Sequence, residues 1–383
     1  MPTMPPARPA GVPPGEVLDR SVGENLDRLI TIDMRGDEIG RVIYQAARAR
    51  SPLPLTLAGA RFLRDQLAGG TSTSGVALFL TGFRIPPTGV PETDGLIGSA
   101  VLAHALDRAG GTVPVFVCEP EVTPALAAAL RATGLAVADR LETAREMPHT
   151  AAILSWPDPT DTVRPDQDGG SGTGGASATT ETAALLAAEI APAVCVAIER
   201  PGRNAKGQYH FAGGINVSAA IAPIDSLYEA VAGRGAGTLA IGDFGNELGM
   251  GAIADTVKAE TPAGGDCACG CGGGTACEIP ADITIACTVS DWGAYALAAA
   301  LSHLYADPGV LVSAAVYRRI LEATVAAGAI DGTSRLAVPH VDGVGDEYNG
   351  RLLEMLRDAV AYPNRPHLNN AMRRYRGSRI EGV

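Results

Sequence analysis

The chain has 383 residues and a formal net charge of -12. That length can bury a substantial core, and an acidic balance with no basic stripe through the body argues against nucleic acid as a partner. A composition with 47 glycines and only 4% aromatics fits a soluble α/β protein packed through small side chains.

Residues 1–20 are dominated by proline and lack the continuous apolar core of a secretory signal, so they read as a disordered arm. Helical spacing runs through residues 21–50, and a second helix is expected over 58–67. The apolar run 75–82 reads as a strand, with Arg84 just beyond it. A proline-rich loop then leads to Glu92 and Asp94, and Thr93 or Asp94 would cap a helix over 96–109. A strand at 113–118, a helix at 124–133 and a strand at 150–156 follow.

Residues 157–182 offer almost nothing to bury and are expected to be a flexible insertion. After a further helix, the strand 193–200 ends on Glu199 and Arg200, with Arg203 beyond. A helix at 226–232 leads into the strand 238–242 and a glycine-rich loop carrying Asp243, Asn246 and Glu247. A second, Cys- and Gly-rich insertion covers 262–279. The strand 283–289 ends on Ser290 and Asp291, ahead of a long apolar helix. Residues 363–383 form a basic tail, read as a solvated end. The most hydrophobic stretches, 181–200 and 283–305, each carry charged or polar residues and read as a strand joined to a helix rather than as membrane spans. No membrane partner and a cytoplasmic location are therefore expected. The alternation of strands and helices predicts a three-layer α/β/α domain over 21–362 with a mostly parallel sheet and two flexible insertions.

In a parallel sheet the carboxyl ends of all strands lie on one side, where ligands bind in the crevice. Four polar clusters fall at such ends: Arg84 with Glu92 and Asp94; Glu199 with Arg200 and Arg203; Asp243 with Asn246 and Glu247; Ser290 with Asp291. Two acids in a glycine-rich loop would repel a phosphate but suit an amine, a metal or a proton in transfer; the alternative is that Asp243 caps the next helix and Glu247 fills its first turn. Arginines grip carboxylates through paired hydrogen bonds, and acids hold an ammonium group or shuttle its proton. A small amino acid carries both groups, whereas ion pairing between Glu199 and Arg203 would be purely structural.

His210 reads as an ordinary loop histidine. Cys118, Cys195 and Cys287 fall in apolar runs and read as packing residues. Cys267, Cys269, Cys271 and Cys277 could bind zinc as thiolates, but they lack two separated Cys-x-x-Cys knuckles; a reduced loop, or one with an occasional disulfide, is the competing explanation.

The motifs TGF (81–83), ETDG (92–95), IERPGR (198–203), GDFGNELGMG (242–251), SDWGAYAL (290–297) and VDG (341–343) occur in the order seen in the D-glutamate cyclase family. From about residue 21 to 362 the chain resembles the family's carboxyl-terminal domain and its stand-alone bacterial members. It departs from the pattern at Phe244, where glycine is usual, at Asp291, where asparagine can occur, and in the added Cys-rich loop. The resemblance implies a hydro-lyase that interconverts D-glutamate and 5-oxo-D-proline plus water, without ATP. On that basis Arg200 or Arg203 anchors the α-carboxylate, and Asp243 and Glu247 manage the protons with Glu199 or Asp94 in reserve. Asn246 and Ser290 would donate to the oxyanion. The resemblance makes no cofactor certain, and a divalent metal at the acidic cleft could replace one of these roles. The alternatives are an enzyme acting on another small amino dicarboxylate or lactam, and a non-catalytic amino-acid-binding protein. The oligomeric state stays open.

Overall fold

A computed structural model describes residues 14–69, 75–156 and 174–364. Seven strands form one sheet: β1 (Val76–Thr81), β2 (Val113–Cys118), β3 (Ala136–Ala138), β4 (Thr150–Ser155), β5 (Val194–Ile198), β6 (Gly237–Gly242) and β7 (Ile283–Ala286). Their order is β3-β4-β2-β1-β5-β6-β7, and every pairing is parallel. The chain builds outward from β1 in one direction, then crosses back to lay β5 against the other side of β1. That reversal opens a crevice beyond the carboxyl ends of β1 and β5.

Both faces of the sheet are covered, which is why its strands read as continuous apolar runs rather than alternating ones. Ala77, Phe79, Val196 and Ile241 pack into one core with the helices Leu96–Gly110 and Ser290–Tyr305. Leu78, Leu80, Val117 and Cys195 point the other way, into a core completed by the helices Gly174–Ile190 and Asp225–Gly233. Phe79 stacks on Phe116 of the neighbouring strand at 4.8 Å between ring centroids. The Ser290–Tyr305 helix is buried on all sides from Ser290 to Ser302, as the apolar run from Trp292 to Leu301 requires. No helix among the described residues is long and apolar enough to cross a membrane.

Several local expectations change. The helix Pro14–Ile30 begins inside the expected arm, and the helix Gly174–Ile190 begins inside the expected insertion 157–182, whose remaining residues lie outside the described ones, as does the basic tail beyond Asn364. Residues 21–50 hold two helices, Pro14–Ile30 and Ile39–Ala49, split by a loop. The Asp33 carboxylate folds that loop by accepting the backbone N–H of Gly36 (2.7 Å) and Glu38 (3.1 Å). The Cys- and Gly-rich segment is built into the molecule: Thr275, Ala276 and Cys277 donate backbone hydrogen bonds to Ala263, Gly264 and Gly245.

Candidate functional site

The crevice at the reversal point is lined by Phe83, Glu92, Asp94, Glu199, Phe211, Ala212, Asp243, Phe244, Asn246, Gly332 and Asp342. Five of these eleven are acids, and they reach the cleft from the ends of several elements.

Glu199 directly follows β5 with a left-handed backbone (φ 45°), a conformation that costs a non-glycine residue free energy and persists only where its surroundings impose it. Ser290 Oγ donates to Glu199 Oε2 at 2.6 Å, fixing the carboxyl from behind. Ser290 opens a helix whose N-terminus is capped from another element. Asp94 accepts the backbone N–H of Asp291 (2.8 Å) and Ser290 (3.3 Å), while Asp291 accepts those of Gly95 (2.9 Å) and Gly98 (2.7 Å). Each aspartate thus caps the helix that the other precedes or begins; Asp94 Oδ1 also accepts the N–H of Gly95 (2.8 Å) ahead of its own helix, so the expected cap of 96–109 by Thr93 or Asp94 is shared with Asp291. The approach demands Gly98, where an added Cβ would lie 2.5 Å from Asp291 Oδ1.

In the glycine-rich loop after β6, Glu247 folds back on its own backbone. Its two oxygens accept the N–H groups of Asp243 (3.0 Å), Phe244 (2.8 Å) and Gly245 (2.7 Å), so the carboxylate holds the loop's shape. Asp243 is thereby turned to the cleft and to Arg35, whose Nη1 lies 3.2 Å from Asp243 Oδ2 and 2.8 Å from Asp342 Oδ2. The same guanidinium donates to Thr288 O and sits 4.2 Å above the centre of the Phe244 ring. Asn246 Nδ2 donates to His210 O at 3.0 Å, leaving its Oδ1 buried and without a partner.

So much buried negative charge around one guanidinium cannot all be ionised cheaply. Burial, reinforced by the neighbouring acids, pushes the carboxyls of Glu92, Asp94 and Glu199 well above the ordinary range. Asp243 is also raised, because burial outweighs the attraction of an Arg35 that it shares with Asp342. Asp291 is raised by burial to about 6, against the pull of its backbone donors.

The expected arginines are placed differently. Arg200 is buried against Glu119 in a two-pronged pair (2.6 and 2.8 Å) and donates to Gly82 O and Ala222 O. Arg203 binds Asp225 (2.8 Å) and Glu229 (2.6 Å), not Glu199. Arg84 binds Glu121 at 3.0 Å and the carbonyls of Gly89 and Ala220. All three brace loops behind the cleft, so the anchoring role expected of Arg200 or Arg203 is not met by their geometry. Glu247 is likewise committed to its loop, and Asn246 presents an acceptor rather than a donor. Arg35 is the cation that the sequence reading passed over, since its loop lies within a stretch of helical spacing. Asp342, in the VDG motif, and Phe211 were also passed over as site residues.

Two kinds of donor set fit a metal. Asp94, Asp243 and Asp342, and also Glu199, Asp243 and Glu247, offer hard oxygens within 4.8 Å of one another. His210 with Cys267, Cys269 and Cys271 offers soft donors within the same span. Cys277 stands apart from that group, buried with its Sγ against Ile279, so the expected set of four cysteines is replaced by three and a histidine.

The model of the D-glutamate cyclase-like, C-terminal family matches residues 26–357. Over 111 residues the chain is 40% identical to the human protein named D-glutamate cyclase, mitochondrial; the shared stretch is 29% of this chain and 17% of the human protein. The motif-bearing ends of β1, β5, β6 and β7 are what bring the acidic residues together, and the matched span covers all four strands. The chain belongs to the D-glutamate cyclase-like family, in its C-terminal domain.

Proposed function

We propose that this chain interconverts D-glutamate and 5-oxo-D-proline plus water by intramolecular amide formation. The observation that carries this reading is the rim of buried acids facing one guanidinium at the carboxyl edge of the sheet. The family membership and the name of the human relative support the choice of substrate.

The proton inventory explains why such a rim suits the reaction. The amine enters as an ammonium and leaves as a lactam N–H, so nitrogen sheds two protons. The γ-carboxylate keeps one oxygen as the lactam carbonyl and loses the other as water, and that departing oxygen collects two protons. The N–C bond forms as the C–O bond breaks, with no net gain or loss of protons. The protein need only carry protons from one end of the substrate to the other, and ring closure within one molecule avoids the entropy of joining two.

In this reading the ionised form of Asp243, made a stronger base by the burial that raises its pKa, takes a proton from the amine. Asn246 Oδ1 accepts from the same ammonium and aims it. Glu199, kept protonated by burial and oriented by Ser290, gives its proton to the departing oxygen. Asp243 then passes its proton to Glu199, and the same exchange repeated moves the second proton, so the oxygen leaves as water and both acids return to their starting forms. Ser290 acts through Glu199, as a positioning residue. Arg35 supplies the positive charge against which a substrate carboxylate docks, and Phe244 shapes the entrance beneath it. A divalent cation on Asp94, Asp243 and Asp342 would supply Lewis acidity at the same place.

Incubation with each enantiomer of glutamate, with 5-oxoproline followed by chiral chromatography, tests the proposal. The expected product is 5-oxo-D-proline from D-glutamate alone. Asp243→Asn should lower turnover by roughly 100- to 10,000-fold with an unchanged circular dichroism spectrum. Saturable binding of D-glutamate with no product would instead support a binding protein.

A further inference from the structure

We propose that His210, Cys267, Cys269 and Cys271 form a zinc site that pins the Cys- and Gly-rich loop to the wall of the cleft. Cys267 Sγ lies 3.1 Å from Cys269 Sγ and 3.3 Å from Cys271 Sγ. His210 Nε2 lies 3.2 Å from Cys269 Sγ and 3.9 Å from Cys271 Sγ. A tetrahedral zinc ion with Zn–S bonds of about 2.3 Å sets its ligands about 3.8 Å apart. The four donors bracket that spacing, and three thiolates with one imidazole make a closed structural zinc set.

The surroundings are built for the same purpose. Gly270 takes a left-handed conformation (φ 77°), which turns the chain so that thiols from residues 267, 269 and 271 face one point. Asn204 Nδ2 donates to Cys271 Sγ at 3.5 Å, and Asn216 Nδ2 to Cys269 Sγ at 3.9 Å. Amide donors aimed at sulfur favour thiolates and orient them for a metal. The imidazole comes from a separate segment of the chain, and His210 is buried although it lies in a loop. The sulfur separations are longer than a disulfide bond of about 2.05 Å, and a single disulfide would leave the third thiol and the imidazole without a task.

The position links this site to the cleft. His210 O accepts the hydrogen bond of Asn246, and the next two residues, Phe211 and Ala212, line the cleft. A zinc ion would hold that wall in place while taking no part in the chemistry.

The test is metal analysis of the full-length protein purified under reducing conditions, followed by exchange with cobalt(II). The expected result is one zinc per chain and, in the cobalt form, intense tetrahedral d–d bands with a thiolate-to-metal charge-transfer band. Cys269→Ser, at an exposed position, should keep the fold by circular dichroism yet surrender zinc to a chelator faster than wild type. The double change Cys269→Ser and Cys271→Ser should abolish the charge-transfer band, whereas Asp243→Asn should keep it. Reduced wild-type protein without zinc or a cobalt spectrum would overturn the proposal. So would zinc that survives the double change and departs with Asp243→Asn. These readouts do not depend on turnover, so they stand or fall separately from the proposed reaction.

Discussion

Arg200 and Arg35 are both guanidiniums at the same edge of the sheet, but their partners set them different tasks. Arg200 meets Glu119 face to face, both fully buried, and its remaining bonds go to the carbonyls of two loops. Removing it strands a buried carboxylate, so Arg200→Ala should cost about 3–5 kcal/mol of stability. Arg35 divides its charge between Asp243 and Asp342, side chains that line the cleft. Arg35→Ala should leave the thermal midpoint much nearer to wild type and act on the proposed reaction, raising KM for D-glutamate and lowering kcat. Denaturant titration and steady-state kinetics of the two variants check this pair. A catalytic defect confined to Arg200→Ala protein that remains fully folded would return the anchoring role to Arg200.

At the scale of elements, the helices Leu96–Gly110 and Ser290–Tyr305 are locked by the exchange of caps between Asp94 and Asp291. Losing a side-chain cap typically costs about 1 kcal/mol, and a buried N–H left without an acceptor adds about 1–3 kcal/mol. Asp291→Ala should therefore destabilise by about 2–4 kcal/mol. Asp291→Asn keeps an oxygen for Gly95 and Gly98 while removing a buried charge, so it should cost far less. Chemical denaturation of the two variants decides between this exchange and a merely packed helix start, for which they would be equally harmful. The exchange also shows which information the sequence carries. Strands buried on both faces leave runs such as Val113–Cys118, which pattern reading recovers in full, and a parallel sheet then places their polar ends on one rim. An aspartate ahead of a helix reads as that helix's own cap, because the partner helix lies about 200 residues away in sequence and periodicity has no term for it. Arg35 was hidden for a related reason. Its loop is set by Asp33 turning onto Gly36 and Glu38, a local device within a stretch whose charges and apolar residues keep helical spacing on either side.

For the molecule as a whole, the acidic cleft makes stability depend on pH in a direction that can be worked out. Glu92, Asp94, Glu199 and Asp243 titrate well above ordinary carboxyls, and Asp291 near 6, chiefly because burial disfavours their charged forms. An unfolded chain releases these protons near pH 4, while the folded chain keeps them to higher pH. Folding therefore takes up protons in that window. The stabilisation is fully present below the unfolded pKa values and is lost as pH rises through the folded ones, by up to about 1.4 kcal/mol per group per pH unit. Glu119 has the opposite sense: although burial works against it, Arg200 and the Ala222 N–H hold it below its usual value, so its contribution is lost only as pH falls through that lowered value. The melting temperature should then be higher at about pH 6 than at about pH 8. A divalent cation bound by Asp94, Asp243 and Asp342 would reverse part of that loss, because it favours the ionised acids and binds only the folded arrangement. Thermal melts at both pH values, with and without manganese or magnesium and with Asp243→Asn alongside, separate the cases. A wild-type melting temperature that rises from pH 6 to pH 8 in metal-free buffer would mean that the cleft keeps its acids ionised by some other interaction, and the proton relay drawn from Glu199 would lose its source.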